Sequence, residues 1–134
     1  MKVINSITIV HSASRNFKEA LDLCIETTKK ENIDVKNILP VNEKGIDKVV
    51  SKKESDLILV IGGDGTMIRT VANLIDHEIP LLGINIGKLG FLTDLNVDSI
   101  SKVLPEVFSG KYQLEKRPSL SIQVDDSESL IGIN

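Results

Sequence analysis

The segment of this sequence that limits the possible folds most strongly is an unbroken aliphatic run that ends in a cluster of glycines. Residues 57–61 are all aliphatic, and the tetrapeptide Gly-Gly-Asp-Gly at residues 62–65 follows them directly. A strand with no polar alternation is covered on both faces, as the central strands of parallel sheets are. Ligands of open α/β sheets bind beside the carboxyl ends of such strands. We therefore expect a parallel sheet with a candidate binding site at residues 62–65.

Strand-like and helix-like segments alternate through residues 4–110. Predicted strands lie at residues 4–11, 33–39, 56–61 and 81–86, and predicted helices at 16–30, 66–77 and 100–108, while residues 46–53 form a short helical or irregular stretch. Pro105 predicts a kink in the last helix or its division into two pieces, because proline lacks the backbone donor. The alternation is typical of a parallel sheet with right-handed crossovers. We predict an α/β fold with a Rossmann-like parallel sheet and flanking helices.

The pattern changes beyond Gly110. Residues 113–116 and 120–124 alternate polar and apolar side chains, residues 125–127 suit a turn, and a further strand begins at Leu130. This pattern indicates antiparallel strands with one solvated face. We therefore divide the chain into an α/β domain at residues 1–110 and the start of a second, mostly β domain at residues 111–134, where the sequence stops within a predicted strand.

Composition, charge and hydrophobic patterning argue against binding to nucleic acid and against insertion into a membrane. A formal net charge of −3 and an aromatic content of 3% argue against a nucleic-acid-binding surface. The longest apolar run, residues 57–61, is far shorter than the roughly 20 residues that span a bilayer, and no signal peptide is indicated. Cys24 is the single cysteine, and its place on the inner face of a predicted helix favours a buried structural thiol over a reactive one. We expect a soluble cytoplasmic protein that binds neither nucleic acid nor membranes.

The glycine turn has the composition of a phosphate-binding loop. Gly62, Gly63 and Gly65 permit positive φ and remove side chains that would keep a phosphate from the backbone N–H groups of the following helix. The alternative is a tight connection that needs glycine for its geometry alone. The spacing matches neither the Walker loop nor the dinucleotide-binding fingerprint.

Asp64 is the residue of this turn that carries chemistry. Its carboxylate would repel a phosphate unless it meets a metal ion, accepts a proton or receives a hydrogen bond from a hydroxyl group. The alternative is that Asp64 caps a helix beginning near Thr66. No cluster of histidines or cysteines predicts a metal cage made by the protein, since His11 and His77 lie far apart in the sequence.

Two segments together resemble the NAD kinase family. They are Gly-Gly-Asp-Gly-Thr at residues 62–66 and Gly-Ile-Asn-Ile-Gly-Lys-Leu-Gly-Phe-Leu at residues 83–92. The first is shared with diacylglycerol, sphingosine and 6-phosphofructo kinases, so it indicates a superfamily and no substrate. The second separates NAD kinases from lipid kinases. The resemblance covers essentially the whole chain.

The resemblance implies a phosphotransferase that makes NADP from NAD, with ATP or inorganic polyphosphate as the donor and a divalent ion, Mg²⁺, on the phosphates. It implies homo-oligomers, dimers or tetramers, in the full-length protein. Members of the family continue into a larger β-rich domain that supplies much of the NAD site. We therefore expect the 134-residue chain alone to have little or no kinase activity.

The resemblance also implies roles for individual residues. Asp64 corresponds to the acidic residue that accepts the proton of the ribose hydroxyl. The implied nucleotide-binding residues are Gly62, Gly63, Gly65, Arg69, Phe91 and Asn134. Of these, Phe91 matches the aromatic side chain against the adenine, and Arg69 falls where a basic residue can approach phosphate.

Two other functions remain open at the level of the sequence. A nucleotide sensor without catalysis would bind ATP or NAD and turn over neither. A kinase acting on a lipid would use the same glycine turn, but residues 85–92 and the absence of a basic amphipathic stretch weigh against it.

Overall fold

In the computed structural model, which describes residues 2–52, 55–74, 76–87, 90, 92–115, 119–124 and 128–133, strands and helices alternate as predicted. The strands are β1 (Ser6–His11), β2 (Asp34–Pro40), β3 (Leu57–Gly62), β4 (Leu81–Asn85), β5 (Leu95–Asn96), β6 (Ser119–Val124) and β7 (Glu128–Ile133). The helices are α1 (Lys18–Lys30), α2 (Ile46–Lys52), α3 (Asp64–Asn73) and α4 (Ile100–Phe108), with 3₁₀ turns at Arg15–Phe17 and Val97–Ser99.

The first five strands form one parallel sheet in the order β2-β1-β3-β4-β5. This confirms the predicted parallel α/β class, and the order is that of the flavodoxin-like variant of doubly wound sheets. In this order the connections leave β1 and β3 in opposite directions. The carboxyl end of β3 therefore borders the crevice where such sheets bind ligands.

The aliphatic run of β3 is explained by two cores on opposite faces of the sheet. Leu57, Leu59 and Ile61 belong to the core that includes residues of α1 and α4, whereas Ile58 and Val60 belong to the core that includes residues of α2 and α3. All five side chains are buried. Because successive strand residues point to opposite faces, a strand covered on both sides has no position for a polar side chain.

Cys24 lies on the inner face of α1, where it belongs to the core and is fully buried. Burial disfavours the charged thiolate and raises the pKa of the Cys24 thiol to about 12. The predicted buried structural thiol is confirmed.

The bounds of α3 differ from those predicted. The helix begins at Asp64, two residues earlier than expected, because Gly63 takes the extended N-cap position and its carbonyl accepts the first helical bond, from Met67 N–H (3.1 Å). It ends at Asn73 and not at His77, because the chain has to return to the start of β4 at Leu81.

Of the two outcomes predicted for Pro105, the division of the last helix is wrong, and the kink stays a prediction. Pro105 lies inside the single helix α4. The loss of one backbone donor is offset by the buried side chains on the inner face of this helix, which are Ile100, Leu104, Val107 and Phe108.

Beyond Gly110 the predicted strands are confirmed in part: residues 113–115 form no strand, the predicted turn at residues 125–127 lies outside the described residues, and the predicted strands at residues 120–124 and from Leu130 are present. β6 and β7 pair antiparallel in a two-stranded sheet of their own, from Ser119 opposite Ile133 to Val124 opposite Glu128. The division into domains at residue 110 stays a prediction. In the part of the chain that the structure describes, no helix has the length and apolarity to cross a membrane.

Candidate active site

The candidate site is built on the junction between β3 and α3. Asp64 is the first residue of α3, so its half-buried carboxylate lies at the end of a helix whose unpaired N–H groups carry partial positive charge. Gly63 occupies the N-cap position. The alternative that Asp64 caps a helix beginning at Thr66 is therefore wrong.

The loop after β4 meets this carboxylate. Gly62 at the end of β3 pairs with Asn85 at the end of β4, and Ile86 N–H donates to the Gly62 carbonyl oxygen (3.3 Å). Further along this loop, Leu92 N–H donates to Asp64 Oδ1 (2.9 Å). The two segments that carry the family resemblance, 62–66 and 83–92, thus come together at one point.

Asn85 shapes the first part of that loop. Its side chain is buried, and its Oδ1 accepts a hydrogen bond from Gly87 N–H at 2.9 Å. An asparagine that bonds the backbone two residues on stabilises a turn directly after a strand. Asn85 therefore holds the start of the loop that reaches Asp64.

The three glycines around Asp64 differ in how much space a side chain would find at their positions. A Cβ at Gly62 would lie 2.5 Å from Thr66 Cβ, so this position demands glycine for packing, as the tight-connection alternative proposed. A Cβ at Gly63 or Gly65 would meet nothing within 4 Å, which leaves the backbone accessible from outside. None of the three has a positive φ, so this turn does not use the left-handed backbone that glycine permits.

Arg69 lies away from Asp64. It follows Asp64 by five residues, which places it about 140° around the helix. Arg69 is exposed and lines a separate cavity of about 300 Å³ together with Glu43 and Asn73. The structure does not bring Arg69 to the carboxylate, and its role at phosphate stays a prediction.

Phe91 and Asn134 lie outside the described residues. Their roles against the adenine and in the NAD site stay predictions.

Neither histidine belongs to a metal site among the described residues, where no group of three potential ligands (His, Cys, Asp or Glu) occurs. The ring of His11 stacks on Phe17 with 3.9 Å between the ring centroids, and its Nδ1 lies 2.8 Å from the Ser12 carbonyl oxygen. These contacts fit the interpretation of His11 as a residue at a strand end.

A larger cavity, which the sequence did not reveal, lies beside β4. Its volume is about 770 Å³, and its lining includes Met67, Leu81, Leu92, Val103 and Lys111. Leu92 belongs both to this lining and to the hydrogen bond on Asp64. Because the lining comes from residues spread between 57 and 115, no local motif could have indicated the cavity.

Comparisons of the chain with known proteins agree with this geometry. The family model described as the ATP-NAD kinase N-terminal domain matches residues 6–112. The NAD kinase of Clostridium kluyveri is 35% identical over 120 residues, which cover 79% of this chain and 42% of that protein. The NAD kinase of Methanothermobacter thermautotrophicus is 44% identical over 77 residues, which cover 58% and 27%. The chain thus spans less than half the length of the curated relatives it matches.

A solved structure shares the fold. The crystal structure of a diacylglycerol kinase from Bacillus anthracis str. Sterne superposes with a TM-score of 0.59 at 21% sequence identity. The match covers 80% of this chain and 41% of that one. At this identity the likeness concerns the fold alone.

Proposed function

The chain belongs to the NAD kinase family, and from this premise we propose that the protein transfers the terminal phosphoryl group of ATP to the 2′-hydroxyl of the adenosine ribose of NAD, giving NADP. The family match over residues 6–112 supports the reaction class. The observation that carries the proposal is the hydrogen bond from Leu92 N–H to Asp64 Oδ1. It joins the glycine turn to the segment that distinguishes NAD kinases from lipid kinases.

In the proposed step, Asp64 acts as the general base. The ribose oxygen forms a bond to the terminal phosphorus, the bond from that phosphorus to the bridging oxygen breaks, and ADP leaves. The hydroxyl proton passes to the Asp64 carboxylate. Such transfers depend chiefly on alignment and on the neutralisation of charge. The backbone at Gly63 and Gly65, which has no side chain in the way, suits the approach of phosphate oxygens.

A divalent ion, Mg²⁺, fits this arrangement when it is carried by the donor. Mg²⁺ is usually bound by one or two carboxylates together with substrate phosphates, and not by a cage made of protein alone. Asp64 is the carboxylate of the described site that could contribute to its coordination. When bound, the ion would shield the charge of the phosphates. Inorganic polyphosphate is an alternative donor with the same chemistry.

Further properties of the complete protein belong to this proposal. We infer that it is cytoplasmic, which the single buried cysteine supports, and that it assembles as a dimer or tetramer. Gly62, Gly63, Gly65, Arg69, Phe91 and Asn134 are the proposed nucleotide-binding residues.

The substitution Asp64→Asn in the full-length protein tests the role of the carboxylate. We expect the rate of NADP formation to fall about 10²–10⁴-fold, the usual contribution of a general base. Thermal unfolding should stay close to that of the wild type, because an amide oxygen can still accept the bond from Leu92. Asp98→Asn, at an exposed carboxylate, is the matched control and should retain activity. Full activity of Asp64→Asn would refute the assignment.

Two measurements distinguish the alternative functions. Calorimetry that detects saturable binding of ATP or NAD by a wild-type protein without turnover would favour the nucleotide sensor. Transfer of labelled phosphate to diacylglycerol or sphingosine, and none to NAD, would favour the lipid kinase. We expect transfer to NAD.

A further inference from the structure

Gly90 lies directly against the Asp64 carboxylate. A Cβ built on Gly90 would lie 2.6 Å from Asp64 Cγ and 2.9 Å from Oδ2, and its nearest atom would be Oδ1. Real Cβ atoms do not approach heavy atoms so closely. Any residue other than glycine at position 90 would therefore displace either the carboxylate or the loop.

Conformational freedom does not explain the glycine at this position. Among the described glycines, positive φ occurs at Gly45 and Gly110, and not at Gly90. Gly87, in the same loop, shows the contrast, because a Cβ there would meet nothing within 4 Å. The requirement for glycine at position 90 is thus one of space, and the space is taken by the functional group of Asp64.

The loop that carries Gly90 is anchored on both sides of it. On the near side, Asn85 Oδ1 accepts from Gly87 N–H (2.9 Å). On the far side, Asp94 N–H donates to the carbonyl oxygen of Gly83 at 3.0 Å.

Packing strengthens the second anchor. Thr93 is buried and packs so closely on Gly83 that a Cβ on this glycine would lie 2.9 Å from Thr93 Cγ2. The atoms that a Cβ at position 90 would meet belong to the side chain of Asp64 and not to the backbone, so the carboxylate is the group that would turn aside.

We propose that Gly90 is a positioning residue for Asp64. Its missing side chain leaves the space that the carboxylate occupies, and the N–H of Leu92 fixes Oδ1 in one orientation. The consequence of this orientation for the rate rests on the proposed function, since Asp64 has to face the ribose hydroxyl. The contact itself does not depend on that function.

A double-mutant cycle tests the contact without any activity measurement. We expect Gly90→Ala to lower the melting temperature by several degrees in the wild-type background. In the Asp64→Ala background, which removes the carboxylate, the same change should lower the melting temperature far less. The effects of two substitutions on stability are not additive when the two residues are in contact. Gly87→Ala is the matched control and should shift the melting temperature equally in both backgrounds. If Gly90→Ala lowered the melting temperature equally in both backgrounds, the proposal would be overturned.

Steady-state kinetics of the full-length protein test the consequence. We expect Gly90→Ala to lower kcat about 10- to 100-fold, the cost of a displaced catalytic group. The KM values for ATP and NAD should stay within about twofold, since Gly90 acts on the chemical step through Asp64. A wild-type kcat in Gly90→Ala would also overturn the proposal. If instead the wild-type protein did not phosphorylate NAD, the proposed function would be wrong. The melting temperatures of the double-mutant cycle would still test the contact between Gly90 and Asp64.

Discussion

Asp56 shows how a single carboxylate can join two strands. It precedes β3, and its Oδ2 accepts hydrogen bonds from the backbone N–H groups of Asn5 (2.8 Å) and Ser6 (3.2 Å). Lys2 Nζ lies 3.1 Å from its Oδ1. Burial of this carboxylate would raise its pKa, but the Asn5 N–H, the Lys2 ammonium and the Ser6 N–H together outweigh burial and lower the pKa of Asp56.

The lowered pKa of Asp56 predicts a stability that depends on pH. A carboxyl group whose pKa is lower in the folded state stabilises the fold above its unfolded pKa, 3.8, and loses this effect as pH falls through the folded value. We expect Asp56→Asn to lower the free energy of unfolding in urea at pH 7, with a smaller difference from the wild type near pH 3.

Asp34→Asn is the control for this measurement. Asp34 is exposed and forms an ion pair with the half-buried Lys36, with 3.1 Å between Oδ2 and Nζ. Such pairs contribute little to stability. If Asp34→Asn and Asp56→Asn had the same effect at pH 7, the stabilising role of Asp56 would be wrong.

At the scale of elements, the end of α4 is fixed by a glycine. Gly110 has a φ of +92°, and its N–H donates to the Val107 carbonyl oxygen (3.0 Å), while Lys111 N–H donates to that of Glu106 (2.9 Å). These two bonds form a Schellman motif, and they confirm the prediction that Gly110 closes the helix.

Gly110→Ala should destabilise the protein by about 1–2 kcal/mol, because a side chain with Cβ disfavours the left-handed region. Denaturation in urea measures the difference. Gly110→Asn should cost less than Gly110→Ala, since asparagine tolerates this region better than alanine. Equal stability of wild type and Gly110→Ala would contradict the role given to the motif.

At the scale of the whole molecule, the chain spans 42% of the length of a relative such as the NAD kinase of Clostridium kluyveri. We predict that the purified 134-residue chain forms little or no NADP, because the resemblance to the family implies a larger β-rich domain that supplies much of the NAD site. Formation of NADP from NAD and ATP, followed by a coupled dehydrogenase assay, tests this expectation, with the full-length protein as control. A rate equal to that of the full-length protein would contradict it.

The element types and the fold class could be predicted because they depend on local patterns. The unbroken aliphatic run in β3 required a sheet covered on both faces, and the glycines after it required an abrupt connection. The ends of α3 were predicted less well, since they depend on where β4 begins and on the N-cap at Gly63. The two-residue strand β5 was missed because it is too short to show a period.

That Asp64 follows a buried strand and stands among glycines could be read from the amino-acid sequence, because the hydrophobic period and the size of residues are local properties. That Leu92, 28 residues further along the chain, donates to the Asp64 carboxylate, and that Gly90 leaves the space for this carboxylate, depends on the folded chain. This contact arises because β3 and β4 are neighbours in the sheet, so the residues beyond their carboxyl ends lie side by side. Neighbour relations between strands are set by the packing of the whole chain.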